Sequence, residues 1–368
     1  MSFSIFILTH RRNWFHTILK SLVYLLITPL IVISCSKETV NDDDTTNEIE
    51  NIEPLFDSAR VVGYLPYYRF SDINKIALCK ITHLNIAFVN PDIEGNLSLP
   101  NSSALPYTLT EIISIARSKN PQIKIFVSLA GGALTEQQQS NWRYFVDKEE
   151  NRPTLIDKIT AFVQQNGFDG VDVDLEWDNV TEGYSEFITD LKNAMTLNSK
   201  LLTAALPSET LYTNITADAL NAFDFINIMA YDYTGPWSPG NPGPHSSISH
   251  AERGIQFWRN TAGVLPEKLN LGVPFYGWDF QSNSVVKAKT YGQIVNQSTS
   301  NADIDVVGNL FYNGRVTIRE KTRMAAQRVG GIMIWELGQD AFNDFSLLNI
   351  IHQSYIEIGV ETTGLCEN

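Results

Sequence analysis

The chain has 368 residues, of which 43% are hydrophobic and 18% are charged. This composition is ordinary for a globular protein, and the length allows one large domain or two smaller ones. The formal net charge is −14 at pH 7, which argues against nucleic acid or another polyanion as a partner and is compatible with a neutral ligand.

The first 35 residues are organised like a targeting segment. Basic residues end at Lys20, and an uncharged run rich in Leu, Ile and Val follows over 21–34. That run is short for a membrane span but suits the apolar region of a signal peptide. It ends in Val32-Ile33-Ser34-Cys35, which resembles the lipobox of bacterial lipoproteins. The resemblance implies cleavage before a lipid-bearing Cys35 and export to a bacterial membrane, the outer membrane or the cell surface. The alternative is an uncleaved anchor helix.

Residues 36–57 predict a disordered acidic tether. The stretch 36–50 is polar, rich in Asp and Glu and free of aromatic residues, so it lacks the side chains needed for a core. We place the folded domain at 58–361 and a C-terminal tail at 362–368.

Within the folded domain, short apolar runs alternate with amphipathic helical patterns. The predicted strands are 61–68, 83–90, 122–130, 170–177, 201–208, 225–233, 269–278 and 330–337. One intervening helix has Leu155, Ile159 and Val163 on a single face and Gly167 placed to end it. Repeated β/α units of this kind predict an α/β fold, a (β/α)8 TIM barrel. The helix-poor stretch 281–315 predicts a short insertion between strands seven and eight.

The fourth predicted strand carries a row of acids. Asp172, Asp174 and Glu176 alternate with apolar residues, so the three carboxylates share one face. Like charges about 7 Å apart resist simultaneous ionisation, so at least one carboxyl is expected to titrate high. A carboxyl that keeps its proton near neutral pH can act as a general acid. The alternatives are a solvated face or a cation site, but no further acid or His pattern supplies metal-ligand spacing.

The segment Asp169-Gly170-x-Asp172-x-Asp174-x-Glu176 resembles the DGxDxDxE motif of glycoside hydrolase family 18, which contains chitinases and endo-β-N-acetylglucosaminidases. The resemblance implies retaining hydrolysis of β-1,4 linkages at N-acetylglucosamine. In that family the substrate's own N-acetyl oxygen attacks the anomeric carbon, so no second carboxylate is required as nucleophile. We expect no metal and no cofactor.

The family resemblance also implies a role for each acid of the motif. Glu176 is the predicted general acid and base. Asp174 orients the acetamido N–H and stabilises the positive charge that develops in the transition state. Asp172 and Asp169 have structural, tuning roles. The implied partner is chitin or a glycan containing N-acetylglucosamine, and we expect a monomer.

Other strand ends carry residues that resemble family positions. Tyr231, in the Met-x-Tyr-Asp segment that ends strand six, is expected to bind the acetamido carbonyl. Residues expected to contact substrate are Tyr64, Phe88, Met229, Asp232, Trp237, Tyr276 and Trp335. Aromatic side chains suit the apolar C–H face of a pyranose ring. Packing roles are open to Trp142, Trp177, Trp258 and Trp278.

Strand three departs from the family pattern. The usual Ser-x-Gly-Gly appears as Ser128-Leu129-Ala130-Gly131-Gly132. A one-residue change in a strand reverses the face that a side chain uses, so the orientation of Ser128 stays open. His83, just before strand two, is interpreted as structural.

Two alternative functions remain open for the domain. The domain could act on N-glycans instead of chitin, or it could be a non-catalytic chitin-binding lectin. The lectins of this family usually lack the acid, which this chain retains as Glu176.

Cys79 and Cys366 would lie at the same end of a closed barrel, where the first and last helices are neighbours, and could form a disulfide. The alternative is a frayed tail with Cys366 free.

Overall fold

The computed structural model describes residues 53–100 and 102–362. The predicted signal peptide, the lipidation site Cys35, most of the tether and Cys366 lie outside the described residues. In the part of the chain that is described, no helix has the length and hydropathy to span a bilayer.

The described residues form thirteen strands and nine α-helices. The strands are β1 (Arg60–Pro66), β2 (His83–Pro91), β3 (Leu97–Ser98), β4 (Lys124–Ala130), β5 (Gly170–Asp174), β6 (Leu201–Pro207), β7 (Phe225–Met229), β8 (Leu269–Pro274), β9 (Tyr276–Ser282), β10 (Val285–Thr290), β11 (Val306–Val307), β12 (Leu310–Phe311) and β13 (Gly331–Trp335). The helices are α1 (Leu109–Lys119), α2 (Glu136–Val146), α3 (Arg152–Asn166), α4 (Tyr184–Leu197), α5 (Ala217–Ala222), α6 (Ile248–Gln256), α7 (Tyr291–Gln297), α8 (Arg315–Arg328) and α9 (Leu347–Glu357).

Eight of the strands close into a parallel barrel. Their order is β1-β13-β8-β7-β6-β5-β4-β2, and pairing of β1 with β2 completes the ring. The prediction of a (β/α)8 barrel is confirmed. Because β5 and β13 are four places apart in this ring in either direction, they lie on opposite walls. The carboxyl ends of all eight strands meet at one mouth, where this fold places its chemistry.

Two helical details were open to test. Helix α3 ends at Gly167, which has φ 70° in the left-handed region, as the sequence predicted. The first β/α unit differs from expectation, because β1 is followed by 3-10 turns at Tyr67–Asp72 and Leu78–Lys80 instead of an α-helix.

Cys79, in the second of these turns, is disulfide-bonded. Both other cysteines lie outside the described residues, so its pairing with Cys366 stays a prediction.

The seventh predicted strand, 269–278, was wrong as a single strand. β8 ends at Pro274, and β9 begins at Tyr276 in a separate antiparallel sheet of order β10-β9-β12-β11. The apolar run hides this change of sheet because the residue between the strands, Phe275, is itself fully buried. The insertion therefore begins before residue 281 and carries α7 beside its small sheet.

The barrel has an inner and an outer apolar layer. Outward-facing strand residues pack under the helices in the main core, whereas a smaller cluster that includes Tyr64, Phe126 and Met333 fills the interior. Gly170 is required by this close packing, since a Cβ there would lie 2.6 Å from the Leu201 carbonyl oxygen and 2.9 Å from the Phe126 ring.

Candidate active site

Strand β5 presents the acid row to the barrel interior. Val171, Val173 and Leu175 belong to the outer core, while Asp172 and Asp174 face inward and are almost fully buried. The predicted alternation is confirmed. The strand itself ends at Asp174, earlier than predicted, and Glu176 follows in extended conformation with φ −122° and ψ 148°.

Asp172 is the deepest of the three acids and is held by hydroxyl groups. It accepts hydrogen bonds of 2.7 Å from each of Tyr64, Ser128 and Thr203. Burial raises the pKa of Asp172, and these hydrogen bonds oppose that rise. The open question about strand three is thereby answered: Ser128 faces inward. Each of these donors comes from a different strand, so Asp172 ties β5 to the barrel.

Asp174 is buried, and one of its carboxylate oxygens, Oδ1, has no hydrogen-bond partner among the described residues. Burial raises the pKa of Asp174 well above its usual value, and the negative charges of Glu176 and then Asp172 add to the rise. An unpartnered buried carboxylate oxygen is costly in a folded protein. Such an atom at a barrel mouth is suited to an N–H donor from a ligand.

Glu176 lies at the mouth, where its carboxyl packs against the backbone of Gly132. A Cβ at that glycine would lie 2.7 Å from Glu176 Oε1, so the second glycine of the strand-three motif makes room for the acid. Burial raises the pKa of Glu176 to about 7, with the charge of Asp232 as the next cause. The spacing of the acids predicts crowding along the strand as the main cause. Burial outweighs that crowding, and the charge that adds to the rise, Asp232, comes from the end of another strand.

The Met-x-Tyr-Asp segment after β7 supplies the second wall of the site. Asp232 has φ 62°, and its Oδ1 accepts hydrogen bonds from the Tyr276 hydroxyl and, at 2.9 Å, from the Trp278 indole N–H. The His245 Nδ1 lies 3.3 Å from the same oxygen. The insertion therefore fixes the carboxylate that influences Glu176, a contact that the packing interpretation of Trp278 missed.

The hydroxyl of Tyr231 points to the interior of the mouth. Its contact with the Met333 Sδ atom, 3.9 Å away, is weak, because thioether sulfur is a poor acceptor. Burial, followed by the charge of Asp174, raises the pKa of Tyr231 well above its usual value. Tyr231 is therefore a neutral donor available to a ligand beside Asp174.

Aromatic rings form the floor of the mouth. Phe88 stacks on Trp335 with ring centroids 5.6 Å apart and an interplanar angle of 22°, and Tyr64 meets the same indole edge-on at 5.5 Å. Met229 lies beside this cluster, partly buried. The structure thus brings predicted substrate-contacting residues from four strands into one cluster, in which Tyr64 and Phe88 contact the Trp335 indole.

The rim has exposed aromatic residues. Trp237 is 57% exposed and meets Trp278 edge-on at 5.9 Å. Trp177 is 62% exposed, so the packing role that the sequence left open for it does not hold. Trp142 and Trp258 are fully buried, as packing residues are.

Two residues of the sequence analysis lie at the opposite end of the barrel. Asp169 accepts a hydrogen bond of 2.9 Å from the Ile125 backbone and pairs with Arg117 at 3.3 Å. His83 packs edge-on against Phe126 and Phe225, and burial lowers its pKa to about 3. Both are structural contacts remote from the acids at the mouth.

Sequence reasoning missed the polar residues that support the acids. Thr203 and Asn227 face inward from β6 and β7, and the Asn227 amide donates to the Tyr64 hydroxyl at 3.2 Å. A usable signal existed, because each is a lone polar residue inside an otherwise apolar strand. In the described part of the chain, no group of three or more His, Cys, Asp or Glu is placed to hold a metal ion.

The geometry agrees with comparisons to known proteins. The sequence matches the family model described as "Glycosyl hydrolases family 18" over residues 60–340. A class V chitinase of Arabidopsis thaliana is 26% identical over 314 residues, covering 70% of this chain and 80% of that protein. Chitotriosidase-1 of Mus musculus is 28% identical over 227 residues, covering 54% of this chain and 47% of that protein, so the chain spans about half of that relative.

A solved structure is more similar. The crystal structure of a family-18 chitinase from the chitin utilization locus of Flavobacterium johnsoniae is 49% identical, with a TM-score of 0.81, and the match covers 84% of this chain and 98% of that one. The predictions of a glycoside hydrolase and of the family are confirmed. Because the family model extends through all eight barrel strands and both walls of the acidic mouth, the chain belongs to glycosyl hydrolase family 18.

Proposed function

We propose that this protein is a retaining chitinase that cleaves β-1,4 bonds at N-acetylglucosamine by substrate-assisted catalysis. The observation that carries the proposal is the pairing of two groups at one mouth. Glu176 has a pKa raised to about 7, and neighbouring Asp174 has a buried Oδ1 with no donor among the described residues. The first suits a general acid, and the second suits the N–H of an acetamido group.

The first step breaks the glycosidic bond. Glu176 donates its proton to the glycosidic oxygen, and the leaving chain departs with that proton and the bonding electrons. The acetamido oxygen of the same substrate forms a bond to the anomeric carbon, giving an oxazolinium ion. Asp174 accepts the acetamido N–H and stabilises the positive charge, while the Tyr231 hydroxyl donates to the acetamido oxygen and orients it.

The second step restores the enzyme. Water adds to the anomeric carbon from the side that the leaving group vacated, and its proton passes to the Glu176 carboxylate. The bond from the acetamido oxygen to the anomeric carbon breaks, so the product keeps the configuration of the substrate. Trp335 supports the reacting ring, because its indole faces the mouth between Phe88 and Tyr64.

The test is Glu176→Gln, which keeps the size of the side chain and removes the transferable proton. We expect kcat on chitooligosaccharides to fall by about two to four decades, with an unchanged melting temperature. The matched control is Glu186→Gln, an exposed residue of α4, which should leave kcat unchanged. Near-full activity of Glu176→Gln would contradict the proposal, and binding without turnover by the unaltered protein would favour a lectin.

The same reaction is also compatible with a second class of substrate, the N-glycans. Endo-β-N-acetylglucosaminidases of this family cleave N-glycans, and a surface-anchored bacterial protein could act on them. Exposed Trp177 and Trp237 on the rim favour chitin, since they extend an aromatic surface beyond the floor. Product analysis on chitin oligomers beside a high-mannose glycoprotein separates the two: chitin oligomers should be cleaved and the glycoprotein left intact.

We also propose that Cys35 carries a lipid that anchors the domain to a bacterial membrane through the acidic tether. The support is the lipobox-like end of the N-terminal segment. One acyl chain binds a membrane only marginally, so firm anchoring takes more than one. Cys35→Ser should move the protein to the soluble fraction, whereas retention of this variant on the membrane would indicate an uncleaved anchor helix.

A further inference from the structure

Lys321 is a charged side chain in the interior of the fold. It lies on α8 and is fully buried. Its Nζ atom donates to three neutral oxygens, which are the Ser246 carbonyl, the Ser246 hydroxyl and the Asn313 side-chain carbonyl, each 2.7 Å away. A well-packed apolar side chain avoids the cost of burying an ammonium group. Packing alone therefore does not explain a lysine at this position.

The number of acceptors matches the ammonium form of the side chain. An ammonium group has three N–H donors and no acceptor, and Lys321 has one oxygen for each donor. Burial lowers the pKa of Lys321 to about 7, and the negative charges of Asp305 and then Glu320 oppose that fall. Below this pH the three hydrogen bonds are charge-assisted, which makes them stronger than bonds between neutral groups. Because the Asn313 amide also donates to the Ser246 carbonyl at 2.9 Å, two side chains fix the position of Ser246.

Ser246 connects Lys321 to the segment that follows β7. The Ser246 hydroxyl donates to the Ala230 carbonyl at 2.6 Å. The carbonyl of the adjacent residue, His245, accepts a hydrogen bond from the Tyr233 N–H at 2.9 Å. The backbone of the segment is therefore held at residue 230 and at residue 233, on either side of two residues of the active site.

Those two residues, Tyr231 and Asp232, lie beyond the end of β7 at Met229. Asp232 has φ 62°, a region that is uncommon for residues other than glycine. The Tyr231 hydroxyl has only the weak contact with Met333, so its direction depends on the backbone that carries it. A misplacement of about 1 Å can cost about a hundredfold in rate. The contacts that hold this backbone are therefore important for the reaction.

Resting on the proposed function, we propose that Lys321 is a positioning residue, which sets the place of the Tyr231 hydroxyl through Ser246. Its three donors are used within the protein, so it acts on the substrate through Tyr231 and not by contact. Asn313 belongs to the insertion, and Lys321 belongs to an outer helix of the barrel. Both parts of the fold thereby shape the wall that orients the acetamido group.

The test is a double-mutant cycle between Lys321→Met and Tyr231→Phe, measured at pH 6, where Lys321 is protonated. Lys321→Met removes the three donors and keeps an unbranched side chain. We expect it to lower kcat on N-acetylchitohexaose by about tenfold or more, with KM within about threefold, because the aromatic floor is unchanged. In the Tyr231→Phe background the same substitution should lower kcat by no more than about twofold, since two residues that act through one group are not additive.

A second variant decides the question if Lys321→Met does not fold. Ser246→Ala removes only the hydroxyl that joins Lys321 to the Ala230 carbonyl. We expect kcat to fall by about threefold or more in the unaltered background and to stay within about twofold in the Tyr231→Phe background. Unchanged kcat for Ser246→Ala, or equal losses in both backgrounds for either variant, would overturn the proposal.

The control separates a loss of position from a loss of stability. Met324→Ala leaves a cavity beneath the same helix, because Met324 is buried in the main core. It should lower the melting temperature and leave kcat within about twofold. The positioning role can fail while Glu176→Gln remains inactive, whereas full activity of Glu176→Gln would overturn the proposed function itself.

Discussion

Two aspartates of one motif, five residues apart, have opposite environments. Asp169 lies at the amino end of β5, where it accepts from the Ile125 backbone and pairs with Arg117. Asp174 lies at the carboxyl end of the same strand, with an unpartnered Oδ1 among the described residues and two like charges beside it. The carboxylate of Asp169 is therefore hydrogen-bonded and ion-paired, whereas the Oδ1 atom of Asp174 has no donor among the described residues.

The carboxylate before β5 therefore contributes to the stability of the fold, whereas the carboxylate at the end of the strand is available for chemistry. A carboxylate with a backbone donor and a cation supports the folded state, and its loss should reduce stability without touching the reaction. A buried carboxylate with no donor destabilises the folded state and is available to a substrate. At the mouth, Asp174, Glu176 and Tyr231 all have raised pKa values.

The largest effect on kcat in this comparison is expected for Asp174, at the mouth of the barrel. Asp174→Asn removes the charge that stabilises the oxazolinium ion, so we expect kcat to fall by about two to three decades. The melting temperature should equal or exceed that of the unaltered protein, since a buried like charge is removed from the site. Steady-state kinetics and thermal melting check both parts, and a large loss of stability would contradict the comparison.

A smaller effect concerns pH. Glu176 must be protonated to act as an acid, and burial and Asp232 raise its pKa to about 7; kcat/KM should therefore fall as the pH rises through about 7. Asp232→Asn removes a charge that raises this pKa, so the alkaline limb should move to lower pH, by about one unit. The pH profile of kcat/KM measures the shift, with the exposed Asp218→Asn as the control.

The smallest effect on activity is expected at the amino end of β5. Asp169→Ala leaves the Ile125 N–H without its side-chain acceptor and removes the ion pair with Arg117. We expect a loss of about 1 to 3 kcal/mol in the free energy of unfolding, with kcat within about twofold of the unaltered protein. Denaturant unfolding and kinetics provide the measurements. A loss of kcat comparable to that of Asp174→Asn would show that the two ends are not separate.

The sequence by itself determined the barrel and the face used by the acids. Alternation is a local property of an extended chain, so the inward direction of Asp172 and Asp174 follows from spacing alone. Apolar runs likewise located the eight barrel strands, although they extended strand seven beyond Pro274 into the second sheet. Local patterns report burial well and report changes of sheet poorly.

Only the tertiary structure decided which distant groups meet. Ser128 and Thr203 reach Asp172 because the register of β4, β5 and β6 places these residues side by side. Trp278 reaches Asp232 from the insertion, and the exposure of Trp177 depends on its left-handed backbone and on Tyr212. These contacts join residues far apart in the chain, and closure of the barrel creates the low-dielectric mouth that raises the pKa of Glu176. Periodicity within a single strand reveals neither the contacts between distant residues nor the closure of the barrel.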